Sequence, residues 1–198
     1  PLVALVLGGT DGQKEEAARA LRWLAFNADN QVAIAKAGGI PPLVALARSG
    51  TDGQKEEAAA ALRNLADNAD NKVAIVRAGG IAPLVALARG GTDGQKEKAA
   101  AALWRLSHNA DNQVAIAKAG GIAPLVALAR NGTDGQKKKA AAALRYLAHN
   151  ADNKVAITKA GGIAPLVALA WYGTYQQKEA AAEALGSLAC NADNQVAI

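Results

Sequence analysis

The chain has 198 residues, of which 51 are Ala and 21 Leu, with one Phe and no Met; half are apolar and one-fifth charged, which favours packed helices over sheet or disorder. A single cysteine, Cys190, excludes an internal disulfide framework and a Cys-rich metal site, and a net charge of +5 is too mild to imply a nucleic-acid partner. The longest apolar run, Ile163 to Trp171, is about half of a membrane span, and no signal peptide is visible.

One phrase orders the whole chain. PLVAL begins at Pro1, Pro42, Pro83, Pro124 and Pro165, a period of 41, and NADN recurs at Asn27, Asn68, Asn109, Asn150 and Asn191. The copies starting at Pro83 and Pro124 differ at seven of 41 positions. A period of this size means stacked supersecondary units, none of which buries its apolar face alone.

Each unit reads as three helices. The first, such as Asn71 to Ala78, follows Asp70 as N-cap and stops at Gly79-Gly80, where glycine accepts the left-handed conformation of a helix end. The second runs from Pro83 to about Arg89, with proline in the first turn where its missing N–H costs nothing, and Gly90-Gly91 ends it. The third follows Thr92-Asp93-Gly94-Gln95, a capping-box pattern, and runs to about His108.

These strings carry a family resemblance. Leu62-Arg63-Asn64-Leu65-Ala66, then Asn71-Lys72-Val73-Ala74-Ile75 and Ala78-Gly79-Gly80-Ile81, resemble the armadillo repeat. They look most like the arrays of plant U-box proteins and more distantly like nuclear import receptors and β-catenin. The resemblance implies an all-α fold, an α-solenoid wound as a right-handed superhelix of about five three-helix repeats. It also implies a single armadillo domain over residues 1–198, incomplete at both ends. The near-identity of the copies looks like a consensus-built, engineered array, because natural drift would spread differences over loops and convex faces as well.

Within the third helix the copies differ along one stripe, and the solvent positions that change elsewhere are few, mainly the equivalents of Lys72, Val76 and Ser49. In the third helix the equivalents of Ala58, Ala59, Ala61, Leu62 and Leu65 never change, whereas those of Glu56, Glu57, Ala60, Arg63, Asn64 and Asp67 do. At 100° per residue the changing six fall within an arc of about 120°. The resemblance places this helix on the concave groove, with stripes about 8–10 Å apart from repeat to repeat. The rungs carry Arg19, Arg22, Trp23 and Phe26; then Arg63, Asn64 and Asp67; then Lys98, Trp104, Arg105 and His108; then Lys138, Lys139, Arg145, Tyr146 and His149; and last Glu179, Glu183, Ser187 and Cys190. Trp171, Tyr172 and Tyr175 crowd the turn beside the fifth rung.

Trp, Tyr and Arg dominate binding hot spots, so the stripe reads as a paratope rather than as scattered surface residues. Its expected partner is a peptide or protein, acidic or phosphorylated in its central part, with Arg105 and Arg145 as bidentate donors and Glu183 facing a basic end. In the importin and β-catenin groups an Asn ladder on the third helix grips an extended peptide backbone. The matching position here is Asn64, and its equivalents Trp23, Arg105, Tyr146 and Ser187 depart from that pattern. The family's Trp ladder position falls at Arg19, Ala60, Ala101, Ala142 and Glu183. A folded surface therefore stays open as the target beside an extended peptide.

No enzyme, cofactor or metal site is expected. His108, His149 and Cys190 recur at one register, but zinc donors must sit about 2.0–2.3 Å from a shared ion, which helices 8–10 Å apart make difficult. Cys190 and His149 lack a third orienting group. The Gly-Gly pairs precede neither Lys-Ser nor Lys-Thr, and Asn131-Gly132-Thr133 reads as a by-product of a varied loop position. Leu2, Val3 and Leu5 at the front and Val196 and Ile198 at the back are expected to expose core, which allows head-to-tail self-association. The rival to a binding role is a consensus scaffold without a dedicated ligand. The sequence names no compartment.

Overall fold

The computed structural model describes residues 1–191 and Asn194. Val196 and Ile198 lie outside the described residues. Every described element is an α-helix, with no strand among the described residues. The chain divides into two compact units, Pro1–Leu106 and Ser107–Ile198.

The first unit holds α1 (Leu2–Gly8), α2 (Asp11–Leu24), α3 (Ala28–Lys36), α4 (Ile40–Ser49), α5 (Asp52–Leu65), α6 (Ala69–Arg77), α7 (Ile81–Gly90) and α8 (Asp93–Leu106). Helix α5 packs between α2 and α8, and α4 packs against α1, α5 and α7. The invariant third-helix positions form the seam. Ala58, Ala59, Ala61, Leu62 and Leu65 are all fully buried, as are Leu103 and Leu106 of α8. Alanines on the seam let helix backbones approach closely, and the leucines fill the remaining space. Leu2 and Val3 are half-buried and Leu5 is partly exposed.

The second unit holds α9 (Ala110–Lys118), α10 (Ile122–Asn131), α11 (Asp134–Leu147), α12 (Ala151–Lys159), α13 (Ile163–Tyr172) and α14 (Tyr175–Ala189). Here α11 packs against α10 and α14, and α13 against α10 and α14. Leu125, Leu144, Leu147 and Ile116 are fully buried.

The helix ends follow from side-chain chemistry, and three of them depart from the sequence reading. The first helix of a repeat is capped by Asn68, whose side chain accepts from the Asn71 amide at 3.0 Å. Asp70, expected as the cap, lies inside the first turn, where its charge suits the helix dipole. The second helix opens at Ile81, so Pro83 is its third residue, and the third closes at Leu106, two residues before His108. Gly79 takes φ +74°, as do its counterparts Gly38, Gly120 and Gly161 within a few degrees. Thr51 and Gln54 form the reciprocal capping box.

A brace between repeats was not foreseen. The Gln54 side chain that closes the capping box also donates Nε2 to the Asp11 carbonyl oxygen at 2.9 Å and to Asp11 Oδ1 at 3.1 Å. Gln95 does the same to Asp52, and Gln177 to Asp134. A second brace joins the short helices: Asn71 Nδ2 donates to the Gln31 carbonyl, and Asn153 Nδ2 to that of Gln113. At Gly53 the Glu15 carboxylate of the preceding repeat lies over the helix start, where a Cβ would meet it at 2.2 Å and turn that flexible side chain aside.

Candidate functional site

The varied stripe lies on α2, α5 and α8 of the first unit and on α11 and α14 of the second. It is not uniformly open. Trp23 is 59 % exposed and Phe26 61 %, their ring centroids 5.6 Å apart, and the Arg22 guanidinium sits 4.6 Å above the Trp23 ring. Asn64 on the next rung is only 2 % exposed. Its Nδ2 donates to the Arg22 carbonyl at 2.9 Å, and its Oδ1 accepts from Arg63 Nη1 at 2.8 Å. The one residue that matches the family's Asn ladder is thus engaged inside the protein.

Ion pairs run diagonally from rung to rung. Glu57, itself buried, takes Arg19 Nε on Oε1 at 3.1 Å and Arg22 Nη1 on Oε2 at 2.8 Å. Arg19 also reaches Glu15 at 3.0 Å and pairs with Glu16. Its pKa is raised, first by the hydrogen bond to Glu57 and then by the Glu16 charge. Arg105 Nε lies 2.9 Å from Asp67 Oδ1, with its N–H off line for a hydrogen bond. The Arg105 guanidinium covers the Trp104 ring at 4.2 Å, and Trp104 is half-buried. Arg63 is half-buried, and its pKa is lowered, first by burial and then by the Arg105 charge.

In the second unit Arg145 pairs with Glu183 and lies 4.6 Å over the Tyr146 ring. Tyr146 stands between two histidines, its ring centroid 4.0 Å from that of His108 and 5.6 Å from that of His149. Ser187 turns its hydroxyl to the Glu183 carbonyl, and the exposed Cys190 Sγ lies against the Gly186 carbonyl. Lys138 bonds Gln176. Trp171 and Tyr172 end α13 and Tyr175 begins α14, all more than 70 % exposed. Tyr175 precedes Ser187 by twelve residues, about 18 Å of helix. These aromatics therefore form a separate patch on the α13–α14 turn.

The structure thus brings together Arg19, Arg22, Trp23, Phe26, Arg63, Asn64, Asp67, Trp104 and Arg105 in the first unit, and His108, Arg145, Tyr146, His149 and Glu183 in the second. Sequence reasoning missed Glu57 as the hub of the first rungs. The available signal was its place on the varied stripe opposite two arginines of the preceding repeat. Recessed surface also occurs away from the stripe. Two grooves related by one repeat run beside the second helices, one walled by Asp11 and Lys14 over Pro42 and Leu46, the other by Asp52 and Lys55 over Pro83 and Leu87. Among the described residues no three His, Cys, Asp or Glu side chains are grouped to hold a metal, and no single helix is long and apolar enough to cross a membrane.

Comparison with known proteins agrees with this architecture. An engineered protein of known crystal structure superposes with a TM-score of 0.90 at 34% identity, covering 95% of this chain and 78% of that one. The designed armadillo repeat protein YIII(Dq)4CqI gives 0.92 at 25% identity over 98% of this chain and 84% of that one. A third, the designed armadillo repeat protein YIII(Dq.V1)4CPAF in complex with the peptide (KR)4, gives 0.87 at 26% identity over 95% and 80%. No curated protein sequence matches the chain. The armadillo/β-catenin-like repeat matches residues 27–67, 68–108 and 109–149, more than half of the sequence. With fourteen helices among the described residues, recurring with the repeat, this chain belongs to the armadillo repeat family and has the all-α solenoid fold.

Proposed function

We propose that the chain is an engineered armadillo array, a single domain over residues 1–198, that acts as a non-enzymatic binding protein. It holds a peptide or protein on the third-helix stripe. The observation that carries this reading is the pairing of Trp23 and Phe26. Two large aromatic rings stand more than half exposed on the face of the third helix along which the repeats differ. The designed relative in complex with (KR)4 supports a peptide as the kind of partner. The likeness to plant U-box arrays rests on the repeat strings alone. The experiment is a peptide-library screen by fluorescence anisotropy against the protein and a variant with Trp23→Ala and Phe26→Ala. Ligands lost in the variant support the reading; a screen in which every ligand binds both proteins equally ends it.

A second reading has an observation of its own. Glu57, Asp67 and Glu183 satisfy arginines of adjoining rungs inside each unit, so the stripe also braces the stack. On this reading the varied residues serve folding, and the chain is a scaffold able to associate head to tail. Removing Glu57 would then cost stability without changing any binding.

A further inference from the structure

The most exposed aromatic rings among the described residues lie at the α13–α14 turn. Trp171, Tyr172 and Tyr175 are 71 %, 89 % and 83 % exposed. The same places hold Arg48, Ser49 and Asp52 in the second repeat and Arg89, Gly90 and Asp93 in the third. A second departure from the pattern meets this one. Lys138 stands where the other repeats have Glu15, Glu56, Glu97 and Glu179. In the first unit the Glu15 carboxylate lies over Gly53 at the start of the next third helix, and that of Glu56 over Gly94. Lys138 makes the same reach in the second unit, where its Nζ donates to Gln176 Oε1 at the start of α14. An ammonium thus replaces a carboxylate one residue from Tyr175.

The local charge changes accordingly. At the second repeat Glu15, Arg48, Asp52 and Lys55 balance, and the last three line one groove. The third repeat balances in the same places with Glu56, Arg89, Asp93 and Lys96. At the fifth repeat the four places hold Lys138, Trp171, Tyr175 and Lys178, two cations and no acid. The first turn of α14 has no acidic residue, Glu179 comes next along the helix, and Asp134 of the preceding repeat is held by Gln177. Rings that stand this far out of the surface do not make the flat platform on which bases stack. Trp and Tyr combine an apolar body with a polar tip and settle at the headgroup level of a bilayer, where lysines meet anionic lipid.

We propose that the α13–α14 turn is a peripheral contact for an anionic lipid surface. Trp171, Tyr172 and Tyr175 enter the headgroup layer, and Lys138 and Lys178 face its anionic groups. The contact does not depend on peptide binding by the third-helix stripe.

The test mixes the full chain with vesicles of phosphatidylcholine, alone or with about 30 % phosphatidylserine, and reads the bound fraction by co-sedimentation. The anionic vesicles should bind at least about tenfold more tightly than the neutral ones. Trp171→Ala, Tyr172→Ala and Tyr175→Ala together keep every charge and should weaken that binding about tenfold. Lys138→Glu restores the residue of the other four repeats and should remove most of the preference for anionic lipid. Both variants change exposed or register-compatible positions, and circular dichroism melts confirm that they fold. Vesicles with brominated acyl chains should quench part of the tryptophan fluorescence, and that part should vanish in Trp171→Phe.

Equal binding to neutral and anionic vesicles overturns the proposal, as does no binding to either. So does binding that survives the triple substitution, or quenching unchanged in Trp171→Phe. Two further outcomes reassign the turn and overturn the lipid contact. Self-association of the lipid-free protein in sedimentation velocity, abolished by the triple substitution, makes a second copy the occupant. Tighter binding of a single-stranded oligonucleotide than of the vesicles makes it a nucleic-acid contact.

Discussion

Gln54 donates its side-chain Nε2 to the backbone carbonyl of Asp11 across a sequence separation of 43 residues, while its Oε1 accepts from the Thr51 amide at the start of its own helix. One buried amide thus caps a helix and ties that helix to the preceding repeat. Gln95→Ala removes both functions at the next interface and leaves the Asp52 carbonyl without its side-chain partner. The expected loss is about 2–3 kcal/mol in urea unfolding, more than a cap alone contributes. Because stacked repeats unfold through their interfaces, the transition should also broaden. A loss below about 1 kcal/mol would reduce the brace to a cap.

Glu57 gives the second prediction. Glu57→Gln keeps the shape of the side chain and removes the charge that Arg19 and Arg22 share. The arginines are partly exposed, so the expected cost is about 1–2 kcal/mol rather than that of a fully buried pair. The pH dependence has a definite sign. Arg19 has a raised pKa in the folded protein, so its contribution is complete below the ordinary guanidinium range and is lost only as pH rises through the raised value. The difference in Tm between parent and variant should therefore stay constant from about pH 7 to about pH 10 as far as Arg19 is concerned. Thermal melts across that range check it.

Arg63 behaves in the opposite sense. Its lowered pKa means that the folded protein holds the charged form at a disadvantage, chiefly because of burial. At every pH below the guanidinium range that disadvantage is present, and stability would rise only as the proton came off. Arg63→Met, which keeps the stem and drops the charge, should leave Tm unchanged or slightly raised. Asn64→Leu, one residue on, should lower stability by about 1–2 kcal/mol, since it removes two hydrogen bonds at a buried site. Calorimetry on the two variants separates them.

Trp23→Ala and Trp104→Ala test the division of the stripe into open and closed parts. Trp23 is mostly exposed, and its loss should change stability by no more than about 0.5 kcal/mol. Trp104 is half-buried under Arg105, and its loss should cost about 2 kcal/mol or more. Equal effects in denaturant titration would contradict the exposure difference.

The period of 41, the Thr–Gln caps and the glycine ends were legible because they are local and repeat five times. The N-cap was misplaced by two residues because NADN offers Asn68 and Asp70 within one turn, and only the backbone shows which of them precedes it. The Gln54–Asp11 brace was hidden for a related reason. An unchanging Gln is already explained by the capping box, so nothing in the pattern asks for a second role. The ion pairs were illegible on different grounds. Asp67 meets Arg105, yet the register counterpart of Asp67 is His108 and that of Arg105 is Asn64. Such diagonal contacts depend on the offset between adjoining helices and on side-chain rotamers, neither of which a repeat alignment contains.

The braces read the same wherever they are seen, since each joins a Gln to an Asp that every interface shares. The diagonal pairs do not. Arg19 and Arg22 require the acid that the second repeat supplies at Glu57, and the third repeat has Lys98 at that place. Exchange of the second and third repeats would keep every seam and every cap while setting a lysine against two arginines. The generic contacts decide that repeats adhere, and the charges on the stripe decide which one follows which.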